Sequence, residues 1–311
     1  GQLRPHHGQG NPRRNRFLCI ETKDTNNTPD RLTRKVMKLR INPRYHALEP
    51  FVRHLAEPGY FDAHGQTLHD GRNTLKLFEV EGIRVVVKCY GHLSLLNRLV
   101  YGVLRRSKAE RAYLHAAQLR ERGIDSPEEV AFLEIRRRGV LAESYFVSLC
   151  SEFDSLLPVM ELDRPMARRR EILDALAAFL LRLHDAGVEH LDLNIGNILY
   201  VTLALVGGVF LLIGLPNVSL SGTARLRLDN LRRLTCPAPV YLYLLDRYAR
   251  LIHTDADTVQ FKGVLMRLFF ENRQRLKRRM KSRIRRERSR SGAVGRGTAP
   301  GQTDTPGDAP A

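Results

Sequence analysis

The residues best suited to chemistry lie in one eight-residue segment, HLDLNIGN, at residues 190–197. Its pattern is His-x-Asp-Leu-x-x-x-Asn, with His190, Asp192 and Asn197 at the defining positions. An aspartate on a rigid loop can orient an acceptor hydroxyl and receive its proton during phosphoryl transfer. An asparagine five residues later can reach a metal ion that holds the donor phosphates. The segment therefore predicts phosphoryl transfer, with His190 stabilising the loop through packing and hydrogen bonds.

Phosphoryl transfer also needs a cation for the donor phosphates, and Lys88 is the candidate. It ends the run VVVK at residues 85–88, on the second strand of a predicted hairpin. A lysine at a strand end is usually a solvated edge residue, so only its combination with the loop gives it a functional interpretation. Gly71, in the turn DGRN just before the first strand of that hairpin, is a weaker candidate for a phosphate-covering turn.

The elements that must position these residues follow from hydrophobic periodicity and from turn residues. Strands are predicted in the first half of the chain and amphipathic helices mostly in the second, which indicates an α+β fold with two lobes. The predicted strands are residues 36–41, 74–80, 83–90, 131–135 and 144–150, and the predicted helices are residues 107–122, 166–186, 240–252 and 257–270, the last continuing into a basic run.

Residues 198–215 form an uncharged apolar stretch directly after the loop. Its eighteen residues approach the length of a membrane-spanning helix. However, Gly207 and Gly208 lie in its middle, and β-branched residues are frequent on both sides. Two buried strands, at residues 198–205 and 209–213, joined by a Gly-Gly turn are therefore the preferred prediction.

Charge is concentrated near the carboxyl end of the chain. The formal net charge is +18, and residues 273–290 contain eleven Lys and Arg against the single acid Glu287. Such a field attracts phosphates, nucleic acid or an anionic membrane surface. No aromatic residue is interleaved in the run to stack bases, so nucleic acid is not predicted as the primary partner.

Composition also divides the chain and indicates its compartment. Residues 1–34 read as a polar, disordered arm without an apolar stretch of signal-peptide length. Residues 35–150 are predicted as the N-lobe, residues 151–272 as the C-lobe, and residues 273–311 as a basic helical extension with a disordered tail. The four cysteines show no paired spacing, which favours a reducing cytoplasm over a disulfide framework or a zinc site.

Several segments outside the loop resemble the lipopolysaccharide kinase (Kdo/WaaP) family, over roughly residues 36–270. They are LLNRLVY at 95–101, RSKAER at 106–111, RGIDSP at 122–127 and HDAGV at 184–188, which leads into the loop. The resemblance implies a two-lobed protein-kinase-like fold, with a strand-rich N-lobe and a helical C-lobe.

That resemblance also implies ATP and Mg²⁺ as cofactors and a hydroxyl of a lipopolysaccharide core sugar as the acceptor. Lys88 would hold the ATP phosphates, Asp192 would be the catalytic base, and Asn197 would be a metal ligand. The hinge beside adenine would fall near residues 149–153. The reaction would take place in the cytoplasm, at the inner face of the inner membrane, where the basic run could attract anionic head groups.

Two positions depart from the family's pattern. Gly214 stands where the family carries a metal-binding acid, and no carboxylate occurs between Asp192 and Asp229. The helical glutamate expected to pair with Lys88 is also displaced, because Glu110 lies one turn before the best-aligned positions. Two hypotheses therefore stay open: an active sugar kinase, or a pseudokinase with a nucleotide-binding or scaffolding role.

Overall fold

The computed structural model describes residues 20–22, 35–91, 105–163, 166, 168–201, 209–220 and 227–294. Its largest element is an antiparallel sheet of seven strands in the order β1-β2-β6-β7-β5-β4-β3. These strands are β1 (Ile20–Thr22), β2 (Lys35–Ile41), β3 (Gln66–His69), β4 (Thr74–Val80), β5 (Ile83–Cys89), β6 (Glu129–Arg137) and β7 (Val140–Leu149). The five predicted strands of the first half are confirmed, and β6 and β7 are longer than predicted.

Strand alternation gives the two faces of this sheet different roles. On β5, Val85 and Val87 are fully buried against one face. Two short helices that the sequence analysis did not predict, α1 (Glu49–His54) and α2 (Tyr60–Ala63), pack on that side. Residues of opposite parity on β5 point to the other side of the sheet, because successive side chains of a strand alternate. Lys88 therefore faces the cleft rather than this small core.

Helix α3 (Lys108–Glu121) covers the cleft side of the sheet, where the sequence predicted a helix. Ser107 begins it as the N-cap, since its hydroxyl accepts a hydrogen bond from the Glu110 N–H at 3.0 Å. Ala109, Ala112 and Ala116 are buried on its inner face, so small side chains bring the helix close to the sheet.

The second half of the chain is helical, as predicted. Helices α4 (Arg169–Asp185), α5 (Arg227–Leu231), α6 (Ala238–Leu251) and α7 (Ala256–Val294) surround one large core. Helix α4 begins three residues later than predicted, because Arg168 adopts a left-handed conformation with φ of 59°. The strand-rich first half and helical second half confirm the α+β fold class.

The apolar stretch after the loop forms strands, as predicted. Strands β10 (Ile198–Val201) and β11 (Val209–Leu212) pair antiparallel, and β10 also pairs with β8 (Asp154–Ser155). The proposed Gly-Gly turn lies outside the described residues. Within the described part of the chain, none of the helices has the length and apolarity needed to cross a bilayer.

One prediction about the amino-terminal arm was wrong for three residues. Residues 1–34 were expected to be disordered, yet β1 pairs antiparallel with β2. An edge strand offers unpaired backbone groups, and a short polar segment can use them without an apolar pattern of its own. At the other end of the chain, α7 continues through the basic run to Val294.

Candidate active site

The predicted loop lies between β9 (Glu189–His190) and β10, and His190 anchors it. The His190 ring is fully buried, and its Nε2 lies 3.0 Å from the carbonyl of Ile213, which directly follows β11. Its Nδ1 accepts a hydrogen bond from the Asp192 N–H at 3.3 Å. These two partners require a neutral ring with the proton on Nε2. Burial lowers the pKa of His190, which keeps the ring in that neutral form.

A network of buried polar side chains also holds this loop. The side-chain amide of Asn230 donates to the His190 carbonyl at 2.8 Å, and its Oδ1 lies 3.2 Å from Nε2 of His184. The other ring nitrogen of His184 lies 2.9 Å from the Tyr248 hydroxyl. Burial lowers the pKa of His184 to about 4, so the ring is neutral at physiological pH. The loop is therefore tied through Asn230 to α4 and α6.

This network adds residues that the sequence analysis missed. His184 lies in the last turn of α4, and its two ring nitrogens contact the side chains of Tyr248 and Asn230. Asn230 is fully buried on the short helix α5. Its only sequence signal is a polar residue between Leu228 and Leu231, which by itself indicates no function.

Asp192 and Asn197 are brought together as predicted. The Asn197 amide donates to the Asp192 backbone carbonyl at 2.8 Å, and Asn194 donates to the same oxygen at 3.1 Å. Residue Asp192 is itself exposed. The loop therefore fixes the backbone of Asp192 and leaves its carboxylate accessible to an acceptor molecule.

Lys88 lines a cavity of about 220 Å³ between the sheet and β10–β11. The predicted hinge forms one wall, since Leu149, Cys150 and Ser151 all line this cavity. Burial lowers the pKa of Lys88, and the charges of Lys108 and Arg72 lower it further, whereas Asp192 raises it. The apolar part of the lining is suited to a flat ring system, and the lysine supplies one cation at its edge. Its apolar lining residues include Leu68, Leu75, Val86, Ala112, Phe146, Leu199 and Ile213.

Gly71 lies in the exposed turn between β3 and β4. It is outside the cavity lining, but Leu68 and Leu75 on either side of the turn belong to that lining. A side chain at position 71 would meet the His69 ring at 2.9 Å, so the turn is compact there. Its position beside the cavity entrance is compatible with the predicted covering role, which stays a prediction.

Glu110, the α3 glutamate considered as a partner of Lys88, does not pair with that lysine in this structure. Glu110 pairs instead with Lys38 of β2 at 2.9 Å and with Arg106 at 3.8 Å. Within the described residues, Lys88 makes no ion pair with a carboxylate shorter than 4.0 Å. Ala112 occupies the α3 position that lines the cavity beside Lys88. A small apolar residue there leaves the lysine without the acid that a kinase helix usually supplies.

Helix α3 instead holds the segment that follows β11. Nδ1 of His115 lies 2.7 Å from the Leu215 carbonyl, and Arg111 donates to the Pro216 carbonyl at 2.7 Å. These bonds fix the backbone of a 3₁₀ turn, Leu215–Asn217, immediately after Gly214. The helix thus positions this turn through main-chain contacts.

Gly214 stands directly against Asn197. It has φ of +78°, and a Cβ at this position would lie 2.9 Å from both Cγ and Oδ1 of Asn197. The space that an acidic side chain would enter is therefore partly filled by the asparagine. No cluster of three or more His, Cys, Asp or Glu in the described part of the chain could hold a metal ion. Mg²⁺ at nucleotide sites is held by one or two carboxylates together with substrate phosphates, and Gly214 supplies no carboxylate beside Asn197, so these residues fit the ion poorly.

The comparisons with known proteins agree with this geometry. The sequence profile of the lipopolysaccharide kinase (Kdo/WaaP) family matches residues 94–261, which is more than half of the chain. Among solved structures, "WaaP in complex with acyl carrier protein" has a TM-score of 0.51 and 18% identity. That likeness covers 76% of this chain and 97% of the WaaP chain, and it supports the protein-kinase-like fold. Comparison with curated proteins gave no significant match. The chain belongs to the lipopolysaccharide kinase (Kdo/WaaP) family.

Proposed function

We propose that this protein is an ATP-dependent kinase that phosphorylates a sugar hydroxyl of the lipopolysaccharide core. Membership of the family supports a sugar kinase role. The observation that carries the proposal is the exposed Asp192, whose backbone carbonyl accepts hydrogen bonds from two asparagine amides beside the Lys88 cavity. A fixed backbone with a free carboxylate is the arrangement that a catalytic base requires.

Each residue of the site would have a separate task. The hinge wall and the apolar cavity would hold the nucleotide base, and Lys88 would bind phosphate oxygens. Asp192 would orient the sugar hydroxyl and accept its proton as the oxygen attacks the terminal phosphorus. His190 and Asn230 would act as positioning residues, since both contact the loop backbone rather than the cleft.

Transfer of labelled phosphate from ATP to purified core lipopolysaccharide tests this proposal. Asp192→Asn is expected to lower the rate by roughly 10²–10⁴-fold, the usual contribution of a general base. Its melting temperature should not change, because the variant removes charge from an exposed side chain. Asp257→Asn, an exposed position in the first turn of α7, is the matched control. An unchanged rate in Asp192→Asn would show that Asp192 is not the base.

A pseudokinase is the second candidate function, and the packing of Gly214 against Asn197 favours it. Position 214, which faces Asn197, carries no carboxylate, and Lys88 has no acidic partner within 4.0 Å in the described residues. In this case the protein would bind ATP without transferring phosphate to any core sugar. Binding would be measured as an increase in melting temperature with ATP, and Lys88→Ala should abolish that increase. Transfer above the level of Asp192→Asn would exclude this alternative.

Helix α7 supports a membrane-surface location for this activity. Its part beyond the core carries exposed apolar side chains along one side and exposed basic side chains around it, from Arg273 to Arg283. Helices with this composition lie in the interface of anionic membranes. The exposed apolar residues are Phe261, Leu265, Leu268, Phe269, Leu276, Met280 and Ile284. The acceptor would then be presented at the surface on which the helix lies.

Co-sedimentation with vesicles tests this location. Vesicles of phosphatidylglycerol are expected to bind the protein, and vesicles of phosphatidylcholine are expected to bind it far less. Leu276→Ser together with Met280→Ser should reduce binding, whereas Leu242→Ser together with Leu251→Ser on α6 is the control for exposed apolar residues elsewhere. Binding that depends on neither lipid charge nor salt would contradict the electrostatic part. The solved WaaP is bound to acyl carrier protein, and adding that protein to the assay would reveal competition for the helix.

A further inference from the structure

The phosphate end of the cleft is a group of cations with few opposing charges. Lys88 and Lys108 share one aromatic ring, since their Nζ atoms lie 5.7 Å and 5.8 Å from the ring centroid of buried Tyr90. Arg72 lies in the turn that precedes β4, at the cleft entrance. We call Arg72, Lys88 and Lys108 the cation cluster.

These three side chains are close enough to affect one another. Burial lowers the pKa of Lys108, and the charges of Arg72 and Arg111 lower it further. Lys88 responds in the same way to Lys108 and Arg72, and Asp192 is the one charge that raises its pKa. Like charges in a partly buried site repel one another, and an anion placed among them removes that repulsion.

The features that normally balance such a lysine are absent from the described part of the cleft. Glu110, the expected partner of Lys88, is held by Lys38 instead. The position of the metal-binding acid is Gly214, and Asn197 crowds it. A divalent cation would therefore meet positive side chains and few oxygen ligands, whereas a free phosphate chain would meet three positive side chains and the single carboxylate of Asp192.

We propose that the cation cluster binds the phosphate tail of the nucleotide directly, so that nucleotide binding does not require a divalent metal ion. This inference rests on the proposed function, because it concerns the same cleft. It assigns Lys108 and Arg72 to phosphate binding; Lys108 was not predicted from the sequence, and Arg72 belongs to the turn DGRN that was predicted to cover the phosphates. It also predicts that Mg²⁺ weakens binding, because the magnesium complex of ATP carries less negative charge than free ATP.

Isothermal titration of the full-length protein with ATP, in EDTA and in excess Mg²⁺, tests the inference. Affinity is expected to be several-fold higher in EDTA, and it should fall with increasing salt. Lys108→Gln should weaken binding in EDTA by roughly tenfold, the usual cost of one charge-assisted contact. Lys262→Gln, on exposed α7, is the matched control and should bind as wild type does. Melting curves of both variants verify folding.

The outcomes separate this inference from the proposed function. Binding that requires Mg²⁺ would overturn the inference and leave the kinase proposal standing. Equal binding by Lys108→Gln and wild type would remove Lys108 from the site and overturn the cluster. Absence of ATP binding under both conditions would overturn the inference and the proposed function together. The inference would be supported if the wild type binds ATP more tightly in EDTA than in Mg²⁺ and if Lys108→Gln loses this gain in affinity.

Discussion

The loop at residues 190–197 and the segment that faces it, residues 213–217, differ in the contacts that hold them. In the loop, His190 and Asn230 hold the backbone from two directions, and Asn197 fixes the carbonyl of Asp192. In the facing segment, the critical position is Gly214, and side chains of α3 hold only the backbone that follows it. The contrast indicates that the backbone of Asp192 and the segment after Gly214 are held by largely separate contacts, with Asn197 between them.

The largest expected effect comes from removing Asn230, one of the contacts that hold the loop. Asn230→Leu leaves Nε2 of His184 buried without a partner and removes one of two hydrogen bonds to the His190 carbonyl, which keeps the Leu193 N–H at 3.1 Å. An unsatisfied buried group costs about 1–3 kcal/mol and a lost hydrogen bond about 1 kcal/mol, so we expect the free energy of unfolding to fall by about 2–4 kcal/mol in urea titrations. Asn194→Ala, which removes a partly exposed bond to Asp192, is the control and should cost about 1 kcal/mol or less. Equal losses in both variants would show that the buried network does not stabilise the loop.

Acid should weaken the same network. Folding lowers the pKa of His184 from the ordinary 6.5 to about 4, so between these values the unfolded chain binds a proton that the folded chain does not. The contribution of His184 is full above about pH 6.5 and is lost as pH falls toward 4, by about 3 kcal/mol in total. Free energies of unfolding measured across this range should decline accordingly. His184→Gln should flatten the decline, and an unchanged profile in that variant would rule out His184 as the titrating group.

A smaller effect is expected from substitution of Gly214 in the facing segment. Gly214→Ala places a Cβ against Asn197 at φ of +78°, whereas Gly139→Ala meets nothing within 4 Å at φ of +75°. Both variants require the left-handed conformation, which costs about 1–2 kcal/mol for an L-residue. We expect Gly214→Ala to cost more than Gly139→Ala in thermal and urea unfolding, because only the former displaces the Asn197 amide. Equal losses of unfolding free energy in the two variants would mean that the Asn197 side chain moves aside without cost.

The smallest expected effect concerns Glu110. Its pair with Lys38 is partly exposed, so Glu110→Gln should change the free energy of unfolding by less than about 1 kcal/mol. ATP affinity measured by titration should also stay unchanged, because Lys88 is not the partner of Glu110. Lys88→Ala provides the comparison, since it should abolish binding. A comparable loss in Glu110→Gln would indicate that α3 turns toward Lys88 when nucleotide binds.

The sequence was informative wherever a local pattern determines structure. Alternation predicted β4 and β5, helical periodicity predicted α3, and the loop motif placed Asp192 beside Asn197. These features depend on neighbours in the chain, so a single sequence contains them.

Long-range pairing was not accessible in the same way. Glu110 pairs with Lys38 rather than with Lys88, and this outcome depends on how α3 packs across the sheet. Asn230 and Lys108 gain their roles only because folding brings them to His190 and to Tyr90. No periodicity marks such residues, since each is a single polar side chain in a helix.

The packing of Gly214 on Asn197 also couples these two positions. A Cβ at position 214 would lie 2.9 Å from Cγ and Oδ1 of Asn197. An aspartate placed there would therefore displace the Asn197 side chain, and with it the bond that holds the Asp192 carbonyl. An engineered acid at position 214 would need a second, compensating substitution near Asn197, so the two positions can be altered together more readily than either one alone.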